Sequence, residues 1–344
     1  MPKEIHPGDE EFKSNERQSP QTTDTVVMVY PDTFKFNPET ATSNKFMKPL
    51  IGVTEEETGT LARNEFKGAV KQLQDNGINV IVIHSPDGKD TPDAVFPNNW
   101  FSHHGDTLVL YPMRNTSRST ERQPQYLMKA LTEANFPEPQ VLDLTYHEQV
   151  RATEKNSDGA EMSVCLEALE GTGSIVLDRV NKVAFAIESP RTTKKVFDEW
   201  YEEMGYSRIF FHAENSEGPI YHTNVIMGIG SRFAVICFES IRDLGEREMV
   251  RKSLEATGRE VIDITLDQVS AFCGNLLEVK TTSGKPKIVM SETALKNFTE
   301  EQIRVLRSYG DIIALDIPTI ESAGGSARCI MAEIFTSKNL TKQP

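Results

Sequence analysis

The sequence has no Cys-x-x-Cys pair; its four cysteines, Cys165, Cys237, Cys273 and Cys329, stand far apart along 344 residues. That spacing excludes a zinc knuckle and a dithiol redox centre, and a chain able to bury a sizeable core needs no disulfide staples. Reduced thiols are the expected state. Positive charge is also scarce. With 37 Lys and Arg against 51 Asp and Glu, the net charge is -14 and the pI about 5.1. Neither nucleic acid nor an anionic membrane surface is expected as a partner, because both reward basic patches. No apolar run approaches membrane-spanning length, and the longest, such as 78–83, suit buried strands. The seven histidines lack ligand spacing, and the adjacent pair His103 and His104 would face opposite sides of a strand. No metal is expected. Residues 1–24 are polar, lack the apolar core of a signal peptide and read as a disordered tail, as do residues 337–344; a cytoplasmic location is expected.

What the sequence does have is a repeat. Amphipathic helices are expected near 60–75, 121–134, 193–204, 246–257 and 299–309, with apolar residues at helical spacing, as in Ala62, Phe66, Val70 and Leu73. Each ends at a residue type that tolerates the left-handed conformation: Gly77, Asn135, Gly205, Gly258 and Gly310. A short apolar strand follows each stop, at 78–83, 140–144, 208–211, 260–264 and 311–315. Further strand-like runs lie at 107–111, 174–177, 182–187, 233–238, 275–279 and 287–290. The period of roughly 50 to 70 residues fits five ββαβ modules around an axis, with the site built from loops of several modules. A three-layer α/β sandwich fits the same pattern.

Four local features carry chemistry. Gly324-Gly325-Ser326-Ala327-Arg328-Cys329 is a glycine-rich turn that delivers a thiol to the expected strand 330–335. His222 enters an apolar stretch as Tyr221-His222-Thr223-Asn224. Glu170-Gly171-Thr172-Gly173 presents a carboxylate before a strand. Asp93-Ala94-Val95-Phe96-Pro97-Asn98-Asn99 is polar, with one aromatic ring. Each alone has a plain structural reading: a buried core cysteine, a hydrogen-bonded histidine, a hairpin and a Pro-Asn turn.

Together they resemble the pentein superfamily of guanidine-modifying enzymes: arginine deiminases, dimethylarginine hydrolases, amidinotransferases and relatives. The cysteine turn is similar to that family's Gly-Gly-x-Arg-Cys nucleophile turn. His222-Thr223-Asn224 is similar to its His-x-Asp, Glu170-Gly171-Thr172-Gly173 to its Glu-Gly-Gly, and the Asp93 segment to an Asp-x-Val-Phe-x-Glu-Asp substrate segment. Arg118-Ser119-Thr120-Glu121 and Ser189-Pro190-Arg191-Thr192 resemble sites that meet a substrate carboxylate. The spellings are nearest to the citrulline-hydrolysing, arginine deiminase-related branch. The resemblance covers about residues 25–335. It implies a fivefold pseudo-symmetric α/β propeller spanning 25–336 as a single catalytic domain. It also implies Cys329 as nucleophile, His222 as acid/base and Glu170 as its partner. Asp93, Phe96, Asn98, Asn99, Arg118, Arg191 and Asn224 would bind substrate. No metal or organic cofactor is implied, and homo-oligomer formation is compatible with the sequence.

Three departures bear on substrate. Asn98, Asn99 and Asn224 stand where the family has carboxylates. A planar cation prefers anionic acceptors, whereas a carboxamide offers one donor and one acceptor face, which suits a neutral ureido group. Hydrolysis of citrulline to ornithine, ammonia and carbon dioxide is therefore expected. Arginine deiminase, dimethylarginine hydrolase and amidinotransferase chemistry share the constellation and stay open. So does a non-catalytic pentein-type scaffold, against which the retained Cys329, His222 and Glu170 speak.

Overall fold

The structure, a computed structural model, describes residues 20–85 and 88–335. Its strands are short, and the middle ones, such as Thr25–Tyr30 and Phe233–Ile236, are apolar and buried, so they need neighbours on both faces. They assemble into five separate three-stranded sheets of one pattern. In each, an edge strand runs antiparallel to a middle strand, a helix follows, and a return strand lies parallel on the far side.

The second sheet shows the grammar: Phe101–His104 against Thr107–Leu110, helix Pro124–Glu133, then Gln140–Asp143. The third uses Ile175–Asp178, Val183–Ile187, helix Lys194–Met204 and Ser207–Phe211. The fourth uses Met227–Ile229, Phe233–Ile236, helix Leu244–Glu255 and Glu260–Asp263. The fifth uses Leu277–Lys280, Pro286–Ser291, helix Glu300–Tyr309 and Asp311–Leu315. The first joins the two ends of the chain: its edge strand is Ala332–Glu333, paired with Thr25–Tyr30, which is followed by helix Glu55–Asp75 and Asn79–His84. Edge strands pack on one another: Met227–Ile229 touches both Ile175–Asp178 and Leu277–Lys280, and Ala332–Glu333 touches Phe101–His104. The ββαβ repeat read from the sequence is therefore present five times. Among the described residues no sheet exceeds three strands, which removes the sandwich built on one broad sheet.

Several expectations need correction. The first helix begins at Glu55, because Thr54 and Glu57 form a reciprocal capping box and three glutamates fill the first turn. Gly77, Asn135, Gly205 and Gly258 take positive φ as expected, but Gly310 sits at φ -177, fully extended. Its role is close approach instead: a Cβ there would meet the Pro286 carbonyl oxygen at 3.0 Å. The strand expected over 330–335 shrinks to Ala332–Glu333, and Cys329 sits in a turn ahead of it. The N-terminal boundary also moves. Residues 1–19 and 336–344 lie outside the described residues, but Gln21, Thr22 and Thr23 are buried. Gln21 donates to the carbonyls of Leu177 and Ile229, and Thr23 to that of Ile334, which ties residues 21–23 to three sheets. The hairpin Arg151–Lys155 with Glu161–Cys165 is an addition that the repeat does not contain.

Candidate active site

Just before each edge strand the chain makes a tight turn, and these turns meet. Pro97–Asn99 carries Asn98 and Asn99 ahead of Phe101–His104. Glu170 caps the short helix Gly171–Ser174 ahead of Ile175–Asp178. His222 and Asn224 lie at Thr223–Val225 ahead of Met227–Ile229, Asn275 precedes Leu277–Lys280, and Cys329 precedes Ala332–Glu333.

Glycine makes the convergence possible. Gly171 has φ +48, and a Cβ there would run into the Asn98 carbonyl oxygen; a Cβ on Gly173 would press on Asn99 Nδ2 and lie 2.7 Å from His222 Nδ1. The turn thus brings Glu170 beside His222, whose Nε2 is 2.9 Å from Glu170 Oε2. The other oxygen, Oε1, accepts the Arg114 backbone N–H at 3.1 Å. Arg191 Nη1 stands 3.6 Å from Glu170 Oε2. Burial works to raise the Glu170 carboxyl, but Arg191, the His222 hydrogen bond and Arg118 outweigh it and bring it down to about 2. His222 goes the other way from the usual imidazole range. Its burial outweighs the pull of Glu170 and lowers it to about 4, so the ring is neutral at pH 7. With Nε2–H turned to Glu170, Nδ1 is left as the acceptor.

Cys329 and His222 line one narrow hollow with Asp93, Phe96, Arg118 and Arg191. Cys329 is 4% exposed, and two carboxamides aim N–H groups at its sulfur: Asn275 Nδ2 at 3.2 Å and Asn224 Nδ2 at 3.4 Å. Phe96 lies against the nucleophile turn, where a Cβ on Gly325 would come 2.6 Å from its ring. A larger hollow beside Phe46, Leu50 and Phe272 is lined by no thiol or imidazole, so size alone does not locate the chemistry.

The two arginines are both buried and both already paired. Arg118 Nε bridges the two oxygens of Glu121 at 3.0 and 2.8 Å, while Nη2 reaches Asn99 Oδ1 at 3.1 Å and the Phe96 carbonyl at 3.3 Å. Arg191 donates to Ser43 Oγ and the Thr40 carbonyl, each at 2.9 Å, and lies over the Tyr221 ring. Asp93 Oδ2 accepts from Asn37 at 2.8 Å and Thr40 at 2.9 Å, but its Oδ1 has no partner. Burial pushes the Asp93 carboxyl up, against Arg118.

All ten residues singled out from the sequence are buried: Asp93, Phe96, Asn99, Arg118, Arg191, His222 and Cys329 line the hollow, whereas Glu170, Asn98 and Asn224 do not line it but each hydrogen-bond a residue that does. Sequence reasoning missed Asn275, and it missed the segment 37–44 that supplies Asn37, Thr40, Ser43 and Asn44. Asn44 Nδ2 holds the Ala323 carbonyl at 3.3 Å and that of Gly324 at 3.4 Å. A lone Asn after Gly274 spells no motif; only its place before the fifth edge strand marks it.

The chain matches the family model for eukaryotic N,N dimethylarginine dimethylhydrolase over residues 30–336. No curated protein sequence matches it. Solved structures do. One is the N-terminal domain of ArgZ, a cyanobacterial arginine dihydrolase of the ornithine-ammonia cycle, as a Cys-to-Ser variant bound to substrate. It is 15% identical at a TM-score of 0.65, over 91% of this chain and 98% of that one. AgrE with ornithine and NAD+ gives 16% and 0.65, over 91% of this chain and 39% of that longer one. A dimethylarginine dimethylaminohydrolase adduct with S-methyl-L-thiocitrulline gives 13% and 0.56, over 91% and 100%. These likenesses speak for the fold. With the family match along nearly the whole chain, they put this protein in the N,N-dimethylarginine dimethylhydrolase family, within the pentein superfamily of guanidino-modifying enzymes.

Proposed function

We propose that the protein is a cysteine hydrolase of ureido amino acids, with citrulline as its substrate, and that the five sheets form a single propeller domain around the site. The observation that carries the substrate choice is a chain of fixed carboxamides. Arg118 Nη2 fixes Asn99 Oδ1, so Asn99 Nδ2 must face Asn98 Oδ1, at 3.1 Å. That leaves Asn98 Nδ2 as a buried donor without a partner, while Asn224 Oδ1 is a buried acceptor without one. A ureido group has a C=O for the first and N–H groups for the second. A guanidinium has donors only, and would leave the Asn98 donor unpaired at a cost of about 1–3 kcal/mol.

Attack of Cys329 Sγ on the ureido carbon forms an S–C bond as the thiol proton passes to neutral His222. His222 returns that proton to the side-chain nitrogen as its C–N bond breaks, and ornithine leaves. Water, deprotonated by His222, attacks the S-carbamoyl carbon, the S–C bond breaks, and carbamate falls to ammonia and carbon dioxide. Glu170 holds the imidazole through this cycle. The Arg118–Glu121 and Arg191–Glu170 pairs are internally neutral, so the α-carboxylate is drawn by what remains of each guanidinium and the α-ammonium by Asp93 Oδ1.

A second reading, hydrolysis of a guanidino compound, draws on that unpartnered Asp93 oxygen as a cation acceptor. A product assay separates the two. Ornithine and ammonia are expected from citrulline, with Cys329→Ala inactive and folded. Turnover of arginine or dimethylarginine in preference to citrulline would overturn the ureido assignment.

A further inference from the structure

We infer that Asn275 acts directly on the reacting sulfur: with Asn224 it forms a two-donor cradle that stabilises the negative charge Cys329 Sγ takes on as its proton leaves during attack. The inference rests on the ureido reading for its purpose, but on geometry for its existence.

The orientation of the Asn275 carboxamide is dictated by backbone. Its Nδ2 donates to the Asn224 carbonyl at 3.0 Å, and its Oδ1 accepts the Arg328 N–H at 3.0 Å. Turned over, the amide would set oxygen against oxygen and N–H against N–H, so the donor end must face Sγ, 3.2 Å away. The position is pinned as firmly. A Cβ on the preceding Gly274 would strike the Val225 carbonyl oxygen and lie 2.7 Å from the Ile226 carbonyl carbon, so this turn is packed directly on the one that carries Asn224. Asn275 is 2% exposed.

A sulfur that meets two N–H donors is placed as an acceptor, and a thiolate accepts far better than a thiol. The Arg328 guanidinium turns away, to the Met331 carbonyl at 2.9 Å and Glu333 at 2.8 Å. A guanidinium substrate would bring its own cation to the sulfur; a neutral ureido group brings none, so the amides must supply that stabilisation. The repeat gives the same answer independently. The turns before the other four edge strands carry Asn98 and Asn99, Glu170, His222 with Asn224, and Cys329, and Asn275 is the residue the fifth such turn contributes to this cluster. As attack begins, the sulfur's proton moves to the neutral His222, whose other ring nitrogen already meets Glu170.

The test is alkylation of Cys329 by iodoacetamide, a neutral reagent, in the full-length enzyme without substrate, followed by mass spectrometry of the Cys329 peptide. Asn275→Asp keeps the acceptor for Arg328 N–H and removes the donor. It should slow alkylation at pH 7 by ~10-fold and converge on the wild-type rate at high pH. An unchanged rate at pH 7 overturns the cradle. Should that variant fail to fold, Asn224→Ala, which removes the other donor, takes its place in the same alkylation test, and an unchanged rate at pH 7 is equally fatal. The substrate reading fails separately: a slowed variant in an enzyme that ignores citrulline leaves the cradle standing, whereas citrulline turnover with unaltered alkylation removes only the cradle.

Discussion

At the scale of single residues, the site is an exercise in deciding which buried groups keep a charge. Glu170 keeps its charge because Arg191, His222 and Arg118 surround it, and His222 loses its own because burial outweighs one hydrogen bond. A base held at about 4 stays deprotonated through mildly acidic solution. The acid limb of kcat/KM for citrulline should therefore fall well below the ordinary histidine range, and a limb centred near pH 6.5 would contradict the assignment of His222 as proton acceptor. Asn224 is one of the three amides, with Asn98 and Asn99, that stand where the resemblance implies a carboxylate. Asn224→Asp would set a second anion against Sγ, to be relieved only by a cationic substrate. The expected outcome is a fall of roughly 10-fold or more in kcat/KM for citrulline, with a smaller loss or a gain for arginine. An unchanged ratio of the two would count against the reading. Cys329, His222 and Glu170 were legible because each sits in a short spelling of special residues. Asn275 was not, since an asparagine after a glycine reads as an ordinary turn until three-dimensional contacts put a sulfur beside it.

At the scale of elements, the work is done by turns rather than by helices or strands. The helices were legible from their apolar spacing and their stops, and the strands from β-branched runs, because both follow from local periodicity. The turns follow from contacts between segments distant in sequence, which no local pattern encodes. The strand expected after Cys329 is the instructive miss. Ile330 and Met331 are apolar because they are buried in the core, not because they pair with a neighbour. Glycines in these turns are there for space. Gly173→Ala forces a methyl onto Asn99 Nδ2 and the His222 ring. It should cut kcat at least ~10-fold while costing about 1–3 kcal/mol in stability, checked by steady-state kinetics and urea unfolding. Wild-type kinetics in that variant would show that the turn does not position His222.

At the scale of the whole molecule, one three-stranded unit is used five times, and the first unit is completed by the last strand of the chain. The closure has its own polar contacts: Thr23 donates to the Ile334 carbonyl, and the Phe335 N–H donates to His103 Nδ1 at 3.3 Å. Burial, with Arg179 nearby, lowers His103 to about 4, so it folds neutral and must be charged to unfold in acid. A histidine lowered on folding contributes stability above its unfolded value, and that contribution disappears as pH falls from 6.5 toward 4. Relative to His103→Gln, the wild type should lose roughly 3 kcal/mol of stability between pH 7.5 and pH 4, read from urea midpoints at each pH. Parallel curves for the two proteins would remove His103 from the closure.

In the proposed reaction one event is decisive, the transfer of a carbamoyl group to the sulfur of Cys329. Citrulline labelled at the ureido carbon, mixed with enzyme and quenched in acid within a turnover, allows that event to be seen by peptide mass spectrometry. The label should appear as a carbamoyl group on the peptide containing Cys329 and vanish as ornithine production is completed. Label on any other residue, or undiminished citrulline turnover in Cys329→Ala, would contradict the account at its root.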